Sequence, residues 1–204
     1  MTKRGISFPI TGGLVPHQHL MRVMKEIVTG SDRAVAIVGG TLVESALQSA
    51  LISRMHPNSK ITDKIFSMTG ALGAFSTKID LGYLIGLYGS KAHRELITVK
   101  DIRNKFAHAL DVGSFYNSPI KDLAFNLSFC ERYAADIEVA KADPKNSKRD
   151  EFAAMPPKDW PNWVFVQDLA GALKDPKERY IVTLQVMMYA FSIPAGMAMP
   201  EGVF

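Results

Sequence analysis

The segment that most constrains the fold is residues 31–56, because it carries apolar side chains around most of a helical surface. Ser31 is a suitable N-cap and Pro57 a suitable stop, which predicts a helix from Asp32 to His56. Apolar or small residues recur there at helical spacing and widen into a broad stripe: Val35, Val38, Leu42, Ala46 and Ser49, with Ile37, Val43, Leu47 and Leu51. A helix that is apolar on so much of its surface belongs at the centre of a helical bundle.

Two pairs of glycines indicate close approach between helices. Gly39 and Gly40 lie inside the central helix, where each costs about 1 kcal/mol relative to Ala. Gly82 and Gly86 are four residues apart and would share one face of a later helix. We expect a neighbouring helix to pack tightly against each pair.

The remaining apolar periodicity predicts five more helices. They cover residues 16–28, 74–88, 91–109, 118–130 and 176–192, and the connection 57–73 holds at most one helical turn near Ile65 and Phe66. The strand signal is weak throughout, and residues 163–166 are its best short candidate. The sequence therefore predicts an all-α protein, a compact helical bundle of about six helices with a C-terminal extension.

Capping residues set the predicted helix ends. Gly89 is a suitable C′ residue and Ser90 a suitable N-cap for the helix that follows. Ser118 and Pro119 are typical of an N-cap followed by Pro at the first helical position. Asp175-Pro-Lys-Glu178 has the pattern of a capping box and predicts the start of the final helix at Pro176.

Composition places the chain as one globular domain. We expect residues 1–140 to form the helical core with an N-terminal arm, and residues 141–204 to form a loop and a C-terminal helix on the same domain. Trp160 and Trp163 would hold the irregular part of that loop to the body. The net charge of +4 favours an anionic partner only weakly, because the chain contains no clustered basic stripe.

The cysteine content and the hydropathy of the chain indicate in which compartment the protein is expected. A single cysteine, Cys130, forms no internal disulfide, so a reducing compartment such as the cytoplasm is expected, and the N-terminus shows no signal peptide. Residues 181–200 are uncharged and as long as a membrane span. Because Gln185, Pro194 and Gly196 interrupt them, we favour a buried helix with an apolar tail and no membrane.

Most common catalytic and cofactor motifs are absent from the sequence. There is no phosphate-binding glycine loop, dinucleotide fingerprint, Gly-x-Ser-x-Gly elbow or Cys/His cluster at metal spacing. His17 and His19 lie in the arm and make a poor metal site alone. Cys130 is interpreted as a packed residue, since no activating neighbour is evident. No cofactor and no metal are expected.

One segment does carry candidate chemistry, namely Arg103-Asn-Lys-Phe-Ala-His108. Ile102 and Phe106 are four residues apart and face the core, so Arg103, Asn104 and His108 lie off the buried stripe. Asn104 and His108 share a face, whereas Arg103 lies roughly 140° from His108 around a helix. Arg103 and His108 would converge only if a second copy packed the same face about a two-fold axis. The motif thus predicts a homodimer.

Such a site suits RNA cleavage. His108 would move the proton of a 2′-hydroxyl or of the leaving oxygen. Arg103 would stabilise charge on the phosphate, and Asn104 would hold the histidine or a phosphate. The 2′-hydroxyl is an internal nucleophile, so no metal is needed.

A purely structural interpretation competes with the catalytic one. Arg103 would then pair with a carboxylate such as Asp101 or Glu95. His108 would then simply lie in the last turn of its helix, where the helix dipole favours it.

The same region of the chain carries a family resemblance. Lys78-Ile-Asp-Leu-Gly-Tyr-Leu-Ile-Gly-Leu-Tyr, then Leu96, Ile102-Arg-Asn-Lys-Phe-Ala-His and Ser114-Phe115, resembles the mannitol operon repressor-like (MltR-like) family. The Arg-Asn-x-x-x-His core is also similar to the Arg-x4-6-His signature of HEPN domains. The likeness spans about residues 32–130, and residues 131–204 have no counterpart in it.

The resemblance implies an α-helical bundle, commonly a homodimer, and two functions. The first is a HEPN-like, RNA-acting, metal-independent endoribonuclease of toxin, defence or RNA-processing systems, with Arg103, Asn104 and His108 as its site. The second is a non-catalytic MltR-like transcriptional repressor that acts through protein partners. The sequence leaves open whether the site is active, which RNA or operon is the target, and which protein is the partner.

Overall fold

The computed structural model describes residues 29–108, 113–129 and 173–192, together with residues 27, 131 and 171. These residues contain six helices and no strand: α1 (Asp32–Ile52), α2 (Ser59–Ile65), α3 (Phe75–Leu84), α4 (Ser90–His108), α5 (Ile120–Phe125) and α6 (Pro176–Ser192). The predicted all-α fold is confirmed. Several predictions lie outside the described residues, namely most of the helix at 16–28, the pair His17 and His19, Cys130, the loop from 141, the tryptophans, the strand candidate, and the division at residue 140.

Helix α1 is the centre of the bundle, as its apolar surface predicted. It packs against α3, α4 and α6, and Val35, Val43, Leu47 and Leu51 are all fully buried. Ser31 caps its start by accepting a hydrogen bond from the backbone N–H of Ala34 at 3.3 Å. The prediction placed its end at His56, but α1 ends at Ile52. The side chains of Ser53 and Arg54 both donate to the carbonyl of Ala50, and they satisfy the terminal turn before Pro57 is reached.

Helix α3 ends earlier than predicted, because Gly86 and not Gly89 is its terminating glycine. Gly86 has φ +71°, the left-handed conformation, and is the one described residue with positive φ. Gly82 packs under Tyr88, whereas a Cβ on Gly86 would meet nothing within 4 Å. The expected pairing of Gly82 and Gly86 on one tight face is therefore wrong for Gly86, since its role is conformational.

Helix α4 confirms its predicted stripe, because Leu96, Val99, Ile102 and Phe106 are all fully buried. It begins at Ser90, with the carbonyl of Gly89 accepting from the N–H of His93 at 3.1 Å. The residue that precedes the helix is therefore Gly89, whereas the sequence predicted Ser90 at that position.

A short helix, α2, replaces the single turn predicted near Ile65. Its N-cap is Asn58, whose side chain accepts from the N–H of Ile61 at 3.1 Å. Asn is among the preferred N-cap residues, so the sequence contained this signal.

The helix predicted from Ser118 to Cys130 is interrupted. Helix α5 covers only Ile120–Phe125, and Pro119 lies at its N-cap position without a side-chain bond. The backbone turns away at Asn126, and Phe129 is again helical. The cause is Glu95 of α4, whose carboxylate accepts from the N–H and the hydroxyl of Ser128, each at 2.7 Å. A local pattern cannot reveal a cap supplied from 33 residues away.

Helix α6 begins and ends where the sequence predicted. Asp175 accepts from the N–H groups of Lys177 and Glu178, both at 2.9 Å, which confirms the predicted cap. The helix lies along α1, and a Cβ built on Gly39 would collide with Cδ1 of Leu184. The close approach expected at Gly39 is thus made by α6.

One helix of the described part, Asp32–Ile52, is long and apolar enough to cross a membrane. The core helix of a soluble protein meets the same test, and α1 lies at the centre of this bundle. The uncharged stretch from Ile181 instead begins inside α6, where Ile181, Leu184 and Met187 are buried.

Candidate functional site

The guanidinium of Arg103 is held by the chain's own residues. Its Nη1 donates to Oε2 of Glu44 on α1 at 2.5 Å, while Nε and Nη2 both donate to Oδ1 of Asn104 at 3.3 Å. Its Cζ lies 5.1 Å from the centre of the Phe75 ring, within the range of a cation–π contact. Each of the three nitrogens therefore makes one hydrogen bond within the chain and one face contacts Phe75, while two of the five N–H groups make no hydrogen bond to a described residue.

Glu44 joins three helices, because its second oxygen binds Lys78 of α3. The Lys78 Nζ donates to Oε1 of Glu44 at 2.7 Å, and the side chains of Lys78, Glu44 and Arg103 are only 5%, 17% and 22% exposed. Two cations share one carboxylate, so the cluster carries a net charge of +1. Since each oxygen of Glu44 has its own cationic partner, this geometry satisfies the carboxylate at both ends.

Gly40 lets this cluster form. A Cβ at Gly40 would lie 3.0 Å from Cβ, Cγ and Cδ of Arg103. The stem of Arg103 thus lies directly on the backbone of α1, and a side chain at position 40 would push that stem away by a few tenths of an ångström. The sequence predicted that a helix packs closely against Gly40, and that helix is α4.

Asn104 acts here as an acceptor for Arg103. Its Oδ1 receives both bonds, which leaves its amide nitrogen as a donor that makes no hydrogen bond to any residue the structure describes. The side chain is half-buried. Asn104 therefore still has a donor to offer to an external group.

His108 lies apart from this cluster. It is the last residue of α4 and is exposed, with no hydrogen bond or ion pair to the described residues. Arg103 points towards α1 and α3. The predicted angular separation of Arg103 and His108 is therefore seen, and a single chain does not bring the two together.

The carboxylates suggested by sequence for Arg103 are the wrong ones. Asp101 instead lies 3.1 Å from Lys100, and Glu95 caps Ser128. The structure replaces them with Glu44, which is 59 residues from Arg103 in the chain. An i, i±3 or i±4 search along α4 cannot find a partner on another helix.

The sequence patterns did not identify two residues of the cluster, Glu44 and Lys78. Glu44 carried a usable signal, because it is the single charged residue between Arg33 and Arg54. A charge inside so apolar a helix needs a partner. Lys78 lies in the block that carries the family resemblance, but nothing in the sequence indicates that it is 4% exposed.

A second buried polar centre links α4 to α6. Arg179 is 3% exposed and donates through Nη2 to the carbonyls of Phe125 and Leu127, at 3.1 and 2.5 Å, and to Oε1 of Glu131 at 2.9 Å. Burial raises the pKa of Glu95, although the bonds from Ser128 and the charge of Arg179 act in the opposite direction. Glu95 and Arg179 thus bind the backbone of residues 125–128, where the chain leaves α5.

A cavity of about 410 Å³ adjoins that centre and is lined by Lys91, Ser128, Phe129 and Glu131. Ser128 and Glu131 are already bound to Glu95 and Arg179. The unpaired Oε2 of Glu95 and Nε of Arg179 are sealed from solvent. The cavity therefore offers a ligand little beyond Lys91, and we assign it no site.

No group of three or more His, Cys, Asp or Glu side chains in the described part of the chain has the geometry to hold a metal ion. The cluster around Arg103 presents donors and no pair of free carboxylates. Its chemistry is that of anion contact or of structural pairing, and not of metal binding.

Comparison with known proteins bears on the fold. No family model matches the sequence, and no curated protein matches it either. The structure is similar to one solved by X-ray crystallography, the MtlR–HPr complex from Escherichia coli, with a TM-score of 0.54 and 14% identity. The match covers 84% of this chain and 97% of the other. At that identity the likeness establishes the fold alone, and the chain has the helical fold of MtlR.

Proposed function

We propose that this chain is a non-catalytic transcriptional regulator of the MltR type that acts by binding a protein partner. The observation that carries the proposal is the shared fold with a protein solved in complex with HPr. The engagement of Arg103 by Glu44, Asn104 and Phe75 supports it, because three of the five guanidinium N–H groups and one face already have a partner within the chain, which gives Arg103 a structural role.

The direct test is a calorimetric titration of the purified chain with HPr from the same organism. We expect saturable binding with a dissociation constant in the micromolar range or below, as is usual for a regulatory contact of ordinary size. An unrelated protein of similar size and charge is the control. Absence of any binding heat at two temperatures, at protein concentrations of about 100 μM, would exclude HPr as the partner and remove the observation on which the proposal rests.

A second function, metal-independent RNA cleavage by a homodimer, is favoured by His108 and Asn104. His108 is exposed and has no partner in the described residues, and the amide nitrogen of Asn104 is a free donor there. Two chains related by a two-fold axis would have to supply Arg103 and His108 to a common site.

The cleavage function is tested with mixed RNA in the presence of EDTA. The wild-type chain is compared with His108→Ala, and light scattering reports its oligomeric state. If the chain is a nuclease, wild type cuts and His108→Ala does not. Equal cleavage, or none by either protein, would rule the function out.

A further inference from the structure

Two buried side chains hold the segment that follows α5 against the rest of the bundle. Glu95 of α4 is 5% exposed, and its Oε1 accepts from the N–H and from the hydroxyl of Ser128, each at 2.7 Å. Arg179 of α6 binds the carbonyls of Phe125 and Leu127. On the α4 side, the position of residues 126–129 therefore depends on one buried carboxyl group.

The two oxygens of the Glu95 carboxyl have different surroundings. Oε1 accepts both bonds from Ser128, whereas Oε2 is sealed from solvent and makes no hydrogen bond. A protonated carboxyl keeps a carbonyl oxygen that accepts hydrogen bonds. Oε2 is therefore the atom that takes up a proton without the loss of either bond to Ser128.

The charges that face Glu95 offset its ionisation only in part. Arg179 is the cation that α6 supplies, but its Nη2 is shared with the carboxylate of Glu131 and with backbone carbonyls, and its Nε makes no hydrogen bond. Lys91 lies one turn before Glu95 on α4 and lines the adjoining cavity, but it is exposed to water. The buried carboxylate thus has no cation of its own among the described residues.

The other helices packed on α4 do not supply that cation either. On α5, Lys121 and Asp122 are both exposed, and the buried Lys78 of α3 is bound to Glu44 of α1. Burial therefore outweighs the bonds from residues 128 and 129 and the charge of Arg179, and it raises the pKa of Glu95 above its ordinary value of 4.5.

We propose that Glu95 acts as a proton-operated latch, which holds residues 126–129 against α4 while its carboxyl is neutral and releases them when it ionises. The charge of the ionised form falls on an oxygen that has neither water nor a donor, and opening of the segment gives Oε2 access to water. Ser128 and Phe129 line the adjoining cavity, so their release also opens that cavity.

Proton linkage sets the direction of the effect. An acid whose pKa is raised in the closed state binds its proton more tightly there than in the open state. The closed position is therefore most stable below the ordinary pKa of 4.5, and this advantage is lost as pH rises through the raised value. Between the two values opening releases one proton, so the opening equilibrium rises by up to about tenfold per pH unit.

Hydrogen exchange of the Ser128 amide tests the latch, because this N–H is bound directly to Glu95. Exchange is followed by NMR on the full chain from about pH 4 to pH 8 and is corrected for the intrinsic pH dependence of amide exchange. Glu95→Gln keeps an acceptor at Oε1 and cannot ionise. Asp122→Asn is the control, since Asp122 is an exposed carboxylate on α5.

Protection of the wild-type Ser128 N–H should fall with rising pH, by up to about tenfold per unit over part of this range, and Asp122→Asn should behave in the same way. Glu95→Gln should keep its protection throughout. Constant protection in wild type, or a pH profile that Glu95→Gln leaves unchanged, would overturn the latch. A flat profile in Asp122→Asn would count equally against it, because the dependence would then not be specific to Glu95.

The chemical shift of the Ser128 N–H gives a second readout that needs no variant. In wild type it should titrate with an inflection above pH 4.5, the ordinary pKa of a glutamate. A purely structural hydrogen bond predicts no such titration. An inflection at or below that value, or none at all, would rule out the latch even if Glu95→Gln fails to fold.

Discussion

Arg103 and Glu44 are 59 residues apart in the chain, yet Nη1 of Arg103 donates to Oε2 of Glu44 at 2.5 Å. This contact joins the C-terminal half of α4 to the middle of α1. With Lys78 it ties α3 into the same cluster. The arginine of the most distinctive sequence motif is thus part of the framework of the bundle.

Glu44→Gln should destabilise the protein. The substitution leaves two largely buried cations without their shared carboxylate, and breaking such a pair by removing one partner is unfavourable. We expect a loss of about 1–3 kcal/mol in the free energy of unfolding, below the largest values for buried pairs because Arg103 is still 22% exposed. Urea denaturation followed by circular dichroism measures it. Asp63→Asn on the exposed surface of α2 is the control, and equal midpoints for the two variants would contradict the role given to Glu44.

Arg103→Ala and His108→Ala should differ in their effect on stability. Arg103→Ala removes bonds to Glu44 and Asn104 and should lower the free energy of unfolding by about 1–3 kcal/mol. His108 is exposed and unpaired among the described residues, so its substitution should change stability by less than about 0.5 kcal/mol. Thermal melts of both variants compare them directly. Unchanged melting of Arg103→Ala would show that the cluster is dispensable for the fold.

Gly39→Ala should destabilise the contact between α1 and α6. The new methyl would collide with Cδ1 of the buried Leu184, and overpacking of this kind costs about 1–3 kcal/mol, partly offset by the higher helix propensity of Ala. The double variant Gly39→Ala/Leu184→Ala should lose less stability than the sum of the single variants, by about 1 kcal/mol. Strict additivity in urea denaturation would show that the two residues do not touch.

Gly86→Ala should cost about 1–2 kcal/mol for a conformational reason alone. The residue has φ +71°, and no atom lies within 4 Å of the position that a methyl group would take, so the penalty comes from the left-handed backbone. Gly113 has equal space and no positive φ, which makes Gly113→Ala the matched control with little expected change. Similar melting temperatures for the two variants would argue against a left-handed backbone at Gly86.

Asp32 should make stability depend on acid pH. Burial by itself would raise the pKa of Asp32, but bonds from the Phe115 N–H and from Lys177 together lower it below its ordinary value of 3.8. A lowered pKa means that the ionised carboxylate stabilises the fold above the unfolded-state value, and that this contribution is lost as pH falls through the lowered value. Asp32→Asn should therefore be less stable than wild type at neutral pH.

The stability difference between wild type and Asp32→Asn should shrink as the solution is acidified from about pH 5 to pH 2. Urea denaturation at a series of pH values measures it, with Asp63→Asn as the control for a general charge effect. A difference that stays constant across this range would contradict the assigned role of Asp32.

The helices were predictable where their signals are local. Asp175 and Pro176 mark the start of α6, and the stripe from Leu96 to Phe106 marks α4, because caps and 3.6-residue periodicity depend only on nearby residues. The errors fall where a distant group intervenes. Glu95 interrupts the helix expected to reach Cys130, and no local pattern contains that contact.

The candidate site divides in the same way. The sequence identified Arg103, Asn104 and His108 and their angular separation, because an α-helix sets the direction of each residue. Their assignment as a catalytic set stays a prediction. The partner of Arg103 could not be predicted, because the spacing of residues on α4 carries no information on which side chain of α1 lies opposite.

By itself, the sequence determined that this protein is helical, that α1 is its central helix, and which residues of α4 leave the core. Those properties follow from hydrophobic periodicity, which depends only on residues that are close together in the sequence. Only the tertiary structure decided that Gly40 admits the stem of Arg103, that Glu44 pairs with both Arg103 and Lys78, and that Leu84 stays exposed. The physical reason is that electrostatic pairing and close packing depend on distances between helices, and those distances exist only once the bundle has formed.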